Sequence, residues 1–205
     1  MSEPVSRAGV LAIYLSSFLV GCVLMGFEML GSRYLNPYFG SGIGAWASLI
    51  STVLCALAIG YFAGSAIVDR QRSPRTIGVM ILIAAAYMAM VPATADAVMA
   101  DILDTIGDGP TATLMASTAL LLVPLTLLGT FSPIAVSLLT RSADEAGRIA
   151  GLVYGVSTVG NVVGTLVTTF VLIPTVGSRA ITYYFAVVLA CCAGILFIPF
   201  EKKAS

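Results

Sequence analysis

Histidine is absent from this chain, and charged residues make up only 10% of its 205 residues. A globular protein usually carries about 25% charged residues. Without histidine, neither a histidine-ligated metal site nor a histidine proton relay can form. The four cysteines lie in apolar stretches, where a thiol behaves as a small hydrophobe, and their spacing fits neither a zinc site nor a redox pair. We therefore expect no metal, no cofactor and no disulfide framework.

In place of these groups the chain has six long apolar runs. Its hydrophobic share is 59% and its mean hydropathy is +1.02. The runs cover approximately residues 10–35, 44–68, 77–92, 113–139, 149–174 and 181–199. At about 1.5 Å rise per residue, a helix of about 20 residues crosses a hydrocarbon core of about 30 Å. The sequence therefore predicts an all-α integral membrane protein, with residues 1–205 as one six-helix domain in contact with the lipid bilayer.

Lysine and arginine are sorted to one side of the six predicted helices. Eight of the ten lie at the chain ends or in the second and fourth connections: Arg7, Arg70, Arg72, Arg75, Arg141, Arg148, Lys202 and Lys203. Only Arg33 and Arg179 fall on the other side. The positive-inside rule then predicts a multi-pass protein of the cell (inner) membrane with both termini cytoplasmic. The outer segment 93–111 carries four aspartates, and we interpret it as a solvated loop that includes a short surface helix over 97–106.

The fifth run carries polar residues at spacings of three and four. They are Tyr154, Ser157, Thr158, Asn161, Thr165 and Thr168, flanked by Gly151, Gly155, Gly160 and Gly164. At about 100° per residue these side chains share one helix face, and the glycines allow a second helix to approach closely. Two interpretations stay open: hydrogen bonding between helices, or the lining of a substrate cavity.

The first run has a similar face, with Tyr14, Ser17 and Gly21 followed by Glu28, the only acidic residue in any of the six runs. An ionisable residue within a membrane span is a candidate functional residue. Arg33 follows five residues later. Glu28 therefore either forms a structural pair with Arg33 or handles a cationic substrate or a proton.

The remaining helices differ in polarity. The third and sixth runs carry no comparable polar stripe, so we expect them to be peripheral and to face lipid. The fourth run contains Pro124 and Pro133, which are expected to bend the helix or serve as a hinge. Trp46, the only tryptophan, is expected to anchor the second helix at the outer interface.

The segment from Gly60 to Arg70 resembles the signature between helices 2 and 3 of the major facilitator superfamily. That signature consists of small residues, here including Gly64, followed by Asp69-Arg70. The resemblance implies close helix packing at the small residues, and a capping role for the aspartate at a neighbouring helix.

A longer stretch resembles the membrane region of spermidine synthase-like integral membrane proteins, which fuse facilitator-like helices to an aminopropyltransferase domain. The likeness lies in several segments of residues 20–180: Glu28–Ser41, Trp46, Gly60–Arg70, then Pro124, Gly129 and Pro133, then Gly151–Gly164 and Leu172–Gly177. No strand followed by a glycine-rich turn and an acidic residue occurs, so the chain lacks a soluble aminopropyltransferase domain. We therefore expect no enzymatic activity and no nucleic-acid partner.

Six helices with both ends inside correspond to one half of a facilitator. A parallel homodimer would restore two halves with a solute between them. The first hypothesis is therefore a half-size homodimeric transporter of a small solute, with polyamine as the substrate suggested by the resemblance. Its predicted substrate-binding residues are Tyr14, Ser17, Glu28, Arg33, Tyr154, Ser157, Asn161 and Thr165, and its predicted interface glycines are Gly155, Gly160 and Gly164. The alternative is a non-transporting subunit that docks or supplies a separate cytoplasmic spermidine synthase-like enzyme.

Overall fold

The computed structural model describes residues 6–70 and 73–197. Arg72, Lys202, Lys203 and the predicted end of the sixth helix at residues 198–199 lie outside the described residues. Within this part of the chain all regular secondary structure is helical, and there is no strand.

Six helices are long and apolar enough to cross a membrane, as predicted. They are α1 (Arg7–Phe39), α2 (Ile43–Arg70), α3 (Pro74–Ile106), α4 (Pro110–Leu139), α5 (Ala143–Thr175) and α6 (Ser178–Phe197). Their backbone hydrogen bonds close within each helix, which is the requirement that lipid imposes on a spanning segment. The protein is therefore a multi-pass, all-helical membrane protein.

The largest difference from the predicted boundaries is in α3. The helix does not end at Pro92 but continues to Ile106, so residues 93–106 form no separate surface helix. Pro92 is tolerated inside the helix because proline removes only one backbone donor. Met99 and Ile102 are buried on this extension. Apolar burial on one face of the extension therefore continues the helix beyond the apolar run.

The six helices pack mainly in three pairs: α1 with α5, α2 with α4, and α3 with α6. α1 lies at the centre, since it contacts every other helix. Thr182 of α6 shares a hydrogen bond of 2.9 Å with the hydroxyl of Tyr34 of α1. Near the same end, Arg179 of α6 pairs with Asp96 of α3.

The expectation that α5 would be an inner helix is not met within one chain, whereas α3 and α6 are each 44% buried, within the range of the other helices. Only 17% of the most apolar 18-residue segment of α5 is buried, against 39 to 61% in the other five helices. The reason is that α5 packs closely against α1 alone, and touches α4 only through that helix's last segment. Most of the surface of α5 is thus left uncovered.

Two helices depart from regular α geometry at the positions of prolines. α4 is interrupted at Thr130, three residues before Pro133, which cannot donate to the carbonyl of Gly129. α5 widens into a π-helix over Thr168–Leu172, just before Pro174. Pro124, by contrast, lies within the regular first part of α4. The interruption of α4 therefore lies beside Pro133 and not beside Pro124.

Candidate functional site

The contact between α1 and α5 brings two predicted polar faces together. Ser17 is fully buried, and its hydroxyl donates a 3.1 Å hydrogen bond to the carbonyl oxygen of Val153. Ser17, predicted as a substrate-binding residue, therefore joins the two helices through a hydrogen bond to the α5 backbone.

Gly160 and Gly164 make this contact possible. A Cβ added at Gly160 would lie 2.2 Å from the carbonyl oxygen of Phe18, and one at Gly164 would lie 2.1 Å from that of Cys22. Both glycines are buried against α1 of their own chain. They therefore cannot also form the dimer contact predicted for them. Gly155, by contrast, is exposed with nothing near its Cβ position, and remains free for such a contact.

Asn161 lies at the same contact but is not satisfied by it. Its side-chain oxygen is buried and has no hydrogen-bond partner among the described residues. That oxygen lies 3.0 Å from the Cβ position of Gly21. Thr165, one turn further, donates to the backbone oxygen of Asn161 at 2.9 Å and is thereby satisfied. Of the predicted α5 residues, Asn161 is the one with a fully buried side-chain polar atom that has no partner among the described residues.

The buried polar atoms without a hydrogen-bond partner lie on only three of the six helices in the described part of the chain. In the described part of the chain, the buried side-chain oxygens without a partner are those of Thr52, Thr126, Ser137, Asn161 and Thr169. They lie on α2, α4 and α5, and none lies on α3 or α6. This distribution agrees with the predicted absence of a polar stripe in the third and sixth runs. The threonines and the serine were missed by sequence reasoning because single hydroxyls in apolar runs form no stripe.

Glu28 is buried, with 7% of its surface exposed. The pair predicted between Glu28 and Arg33 is not formed. Within residues 6–70 and 73–197 the only ion pair is Arg179–Asp96. Five residues along a helix rotate a side chain by about 140°, so the two groups leave α1 in different directions. Glu28 therefore stays on the face it shares with Gly21, while Arg33 is exposed near the far end of α1.

A gap separates α2 from α5, which have almost no backbone contact, although each packs on both α1 and α4. We call this gap the α2–α5 groove. The rings of Tyr61 and Tyr154 bridge it in an edge-to-face arrangement, with centroids 6.2 Å apart and planes at 89°. Both tyrosines are partly exposed, at 37 and 40%. Tyr61 was not singled out in the sequence, although it lies within the Gly60–Arg70 segment.

Three further residues of the predicted polar faces of α1 and α5 are half-buried or exposed. Tyr14 is half-buried on α1, Ser157 is half-buried on α5, and the backbone oxygen of Ser157 lies 2.3 Å from the Cβ position of Gly21. Thr158 is exposed and donates to the carbonyl of Tyr154 at 2.8 Å. The groove is therefore a surface feature of one chain rather than a closed cavity.

The glycines of the Gly60–Arg70 segment pack α2 closely on α4. A Cβ at Gly64 would lie 2.5 Å from Pro133 and 2.9 Å from the carbonyl oxygen of Thr130. Asp69 and Arg70 are exposed, and the Asp69 side chain forms no hydrogen bond with another described residue. The N-cap of α3 is Ser73, whose hydroxyl accepts from the Arg75 amide. The predicted close packing is therefore present, whereas the predicted capping by Asp69 is not seen in the described residues.

Comparison with protein-family models, curated proteins and solved structures found no match to this chain.

Proposed function

We propose that this protein is a half-size membrane transporter. Two copies would assemble side by side as a parallel homodimer and move a small solute between them, and a polyamine-like cation is our leading substrate class. The observation that carries the proposal is the α2–α5 groove. Unpartnered polar groups lie on the helices that border it, and within one chain it is open to the surface.

The unpartnered oxygens favour a cavity over helix–helix hydrogen bonding. A buried polar group without a partner costs about 1–3 kcal/mol, and lipid supplies no partner. Asn161, Thr126 and Ser137 lie on helices that border the groove. Water or a solute that enters between the helices when they move apart during transport would satisfy such groups. Ser17, whose hydrogen bond is complete within the chain, needs no such partner.

Glu28 favours a cationic solute. It is buried, forms no ion pair among the described residues, and is the only acid in the six apolar runs. Leaving a charged side chain buried without a partner is costly, so a function is expected to maintain it. A two-fold axis beside the groove would bring two copies of Glu28 to one site, which suits a solute with more than one amino group.

The proposal includes the orientation, with both termini cytoplasmic in an inner membrane, as the arginine and lysine distribution implies. Single-cysteine variants at Arg75 and Asp104, two exposed positions, test it by labelling intact cells with a reagent that cannot cross the membrane. Only the Asp104→Cys protein should react from outside. Labelling of both from the same side contradicts the six-span arrangement.

The transport test uses purified protein in liposomes with radiolabelled spermidine. We expect saturable uptake by the wild type. Glu28→Gln should abolish uptake and spermidine binding, since it removes the charge and keeps the shape. Asp101→Asn, at an exposed position on α3, serves as the control and should transport normally.

Two results would contradict the proposal. Equal uptake by the wild type and Glu28→Gln would end the assignment of Glu28 as a substrate residue. No uptake of any tested cation by a folded wild-type dimer would remove the transport function. If the protein then copurified with a cytoplasmic spermidine synthase-like enzyme, the docking-subunit alternative would replace it.

A further inference from the structure

A second concave site lies apart from the α2–α5 groove, where α1 ends and α2 begins. It has a volume of about 250 Å³, and its lining includes Ser32, Arg33, Asn36, Ser41, Trp46 and Leu49. This volume is far larger than the space one water molecule needs, and is below the range of drug-sized pockets. We call it the α1–α2 pocket. Its size suits one small polar group.

The charge of the α1–α2 pocket is positive. Arg33 is the only charged residue that lines it, and the guanidinium forms no ion pair within the described residues. Arg179, the other arginine predicted at this end of the bundle, already pairs with Asp96. A guanidinium offers several N–H donors in a planar fork that matches the oxygens of a phosphate or carboxylate. The pocket is therefore suited to an anion and not to a cation.

The start of α2 adds hydrogen-bond donors that also carry partial positive charge. The amides of Ala45 and Trp46 both donate to the Gly42 carbonyl, but those of Ile43 and Gly44 have no acceptor among the described residues. The first amides of a helix carry partial positive charge and bind anions readily. Ala45, one residue further, lines the pocket itself. The free donors and the Arg33 guanidinium thus belong to one end of the molecule.

We propose that the α1–α2 pocket binds a phosphate group through Arg33. The phosphate belongs either to an anionic lipid headgroup or to a free solute, since both present the same oxygens. The Trp46 ring, 39% exposed, lies on the pocket wall. Tryptophan is favoured at the headgroup level of a bilayer, where lipid phosphates lie. This inference does not depend on the proposed transport function, because its test requires neither a dimer nor solute movement.

Trp46 also provides the measurement, because it is the only tryptophan in the chain. Protein in maltoside micelles, which contain no phosphate, is titrated in one experiment with inorganic phosphate and in another with phosphatidylglycerol. Trp46 fluorescence is followed, calorimetry provides a second readout, and sodium chloride at equal ionic strength serves as the blank. We expect a saturable change in at least one titration, and the responding titration identifies the source of the phosphate.

Arg33→Gln should weaken that binding at least tenfold, and Arg33→Lys should weaken it less, because it keeps the charge and loses the fork. Arg148→Gln, a matched substitution in α5 at the other predicted side of the membrane, should bind like the wild type. Ser41→Leu, in the segment between the helices, fills the pocket and should also abolish binding if Arg33→Gln does not fold. The absence of a saturable change by both readouts, or the same titration curve for wild type and folded Arg33→Gln, overturns the proposal.

Discussion

Two helix pairs, α1–α5 and α3–α6, pack along comparable lengths but by different chemistry. The α1–α5 contact depends on glycines that bring backbones together, and it includes an unsatisfied amide oxygen at Asn161. In the α3–α6 contact, a Cβ added at Gly78 would lie 3.4 Å from its nearest neighbour, which is ordinary contact. The buried residues of α3 are aliphatic, methionine, glycine or proline. The α3–α6 contact is therefore apolar and of ordinary closeness, whereas the α1–α5 contact combines close packing with one buried polar atom that has no partner among the described residues.

The largest expected difference between the two pairs is the change in stability when one glycine of each contact gains a methyl group. Gly164→Ala should lower the free energy of unfolding by about 2 kcal/mol or more, because the new Cβ meets the backbone of Cys22 at 2.1 Å. Gly78→Ala should leave stability unchanged or raise it by up to about 1 kcal/mol, since alanine is the better helix former. Chemical unfolding in mild detergent measures both. Equal losses of stability at the two positions would mean that the helices of both pairs approach each other equally closely.

A smaller effect is expected from the hydrogen bonds that join α1 to α5 and to α6. Ser17→Ala removes the bond to α5, and Thr182→Val removes the bond between Tyr34 and α6. Hydrogen bonds between membrane helices contribute about 0.6 kcal/mol on average, so each variant should lose about this much stability. Unfolding under the same conditions provides the comparison. A loss at Ser17 as large as that of Gly164→Ala would show that polar bonding, rather than close approach, holds α5 in place.

The six spans were predictable because lipid enforces helices, and length and hydropathy then set their number. The ends were less predictable, as α3 shows, where packing of Met99 and Ile102 extends the helix past the apolar run. Gly160 and Gly164 were correctly predicted to allow close approach, but the partner helix was wrong, because glycine spacing does not reveal which helix fills the gap. The orphan oxygen of Asn161 and the Tyr61–Tyr154 contact depend on three-dimensional neighbours, which no periodicity specifies.

The central question raised by the comparison is what covers the exposed surface of α5. In one chain, Val159 is 58% exposed and Phe170 is 72% exposed, so this surface meets either lipid or a second copy. The transport proposal requires a second copy. Two exposed glycines offer a matched pair to distinguish these cases, since Gly155 on α5 and Gly194 on α6 both have nothing within 4 Å of their Cβ positions.

The most direct test is the mass of the protein released from lipid nanodiscs, measured by native mass spectrometry for the wild type, Gly155→Leu and Gly194→Leu. Neither leucine should disturb the fold of one chain. We predict that the wild type and Gly194→Leu have the mass of two 21.2 kDa chains, and that Gly155→Leu shifts toward one chain. A wild type with the mass of one chain that still takes up its solute, or a dimer unaffected by Gly155→Leu and weakened by Gly194→Leu, would contradict a transport path walled by α5 of two protomers.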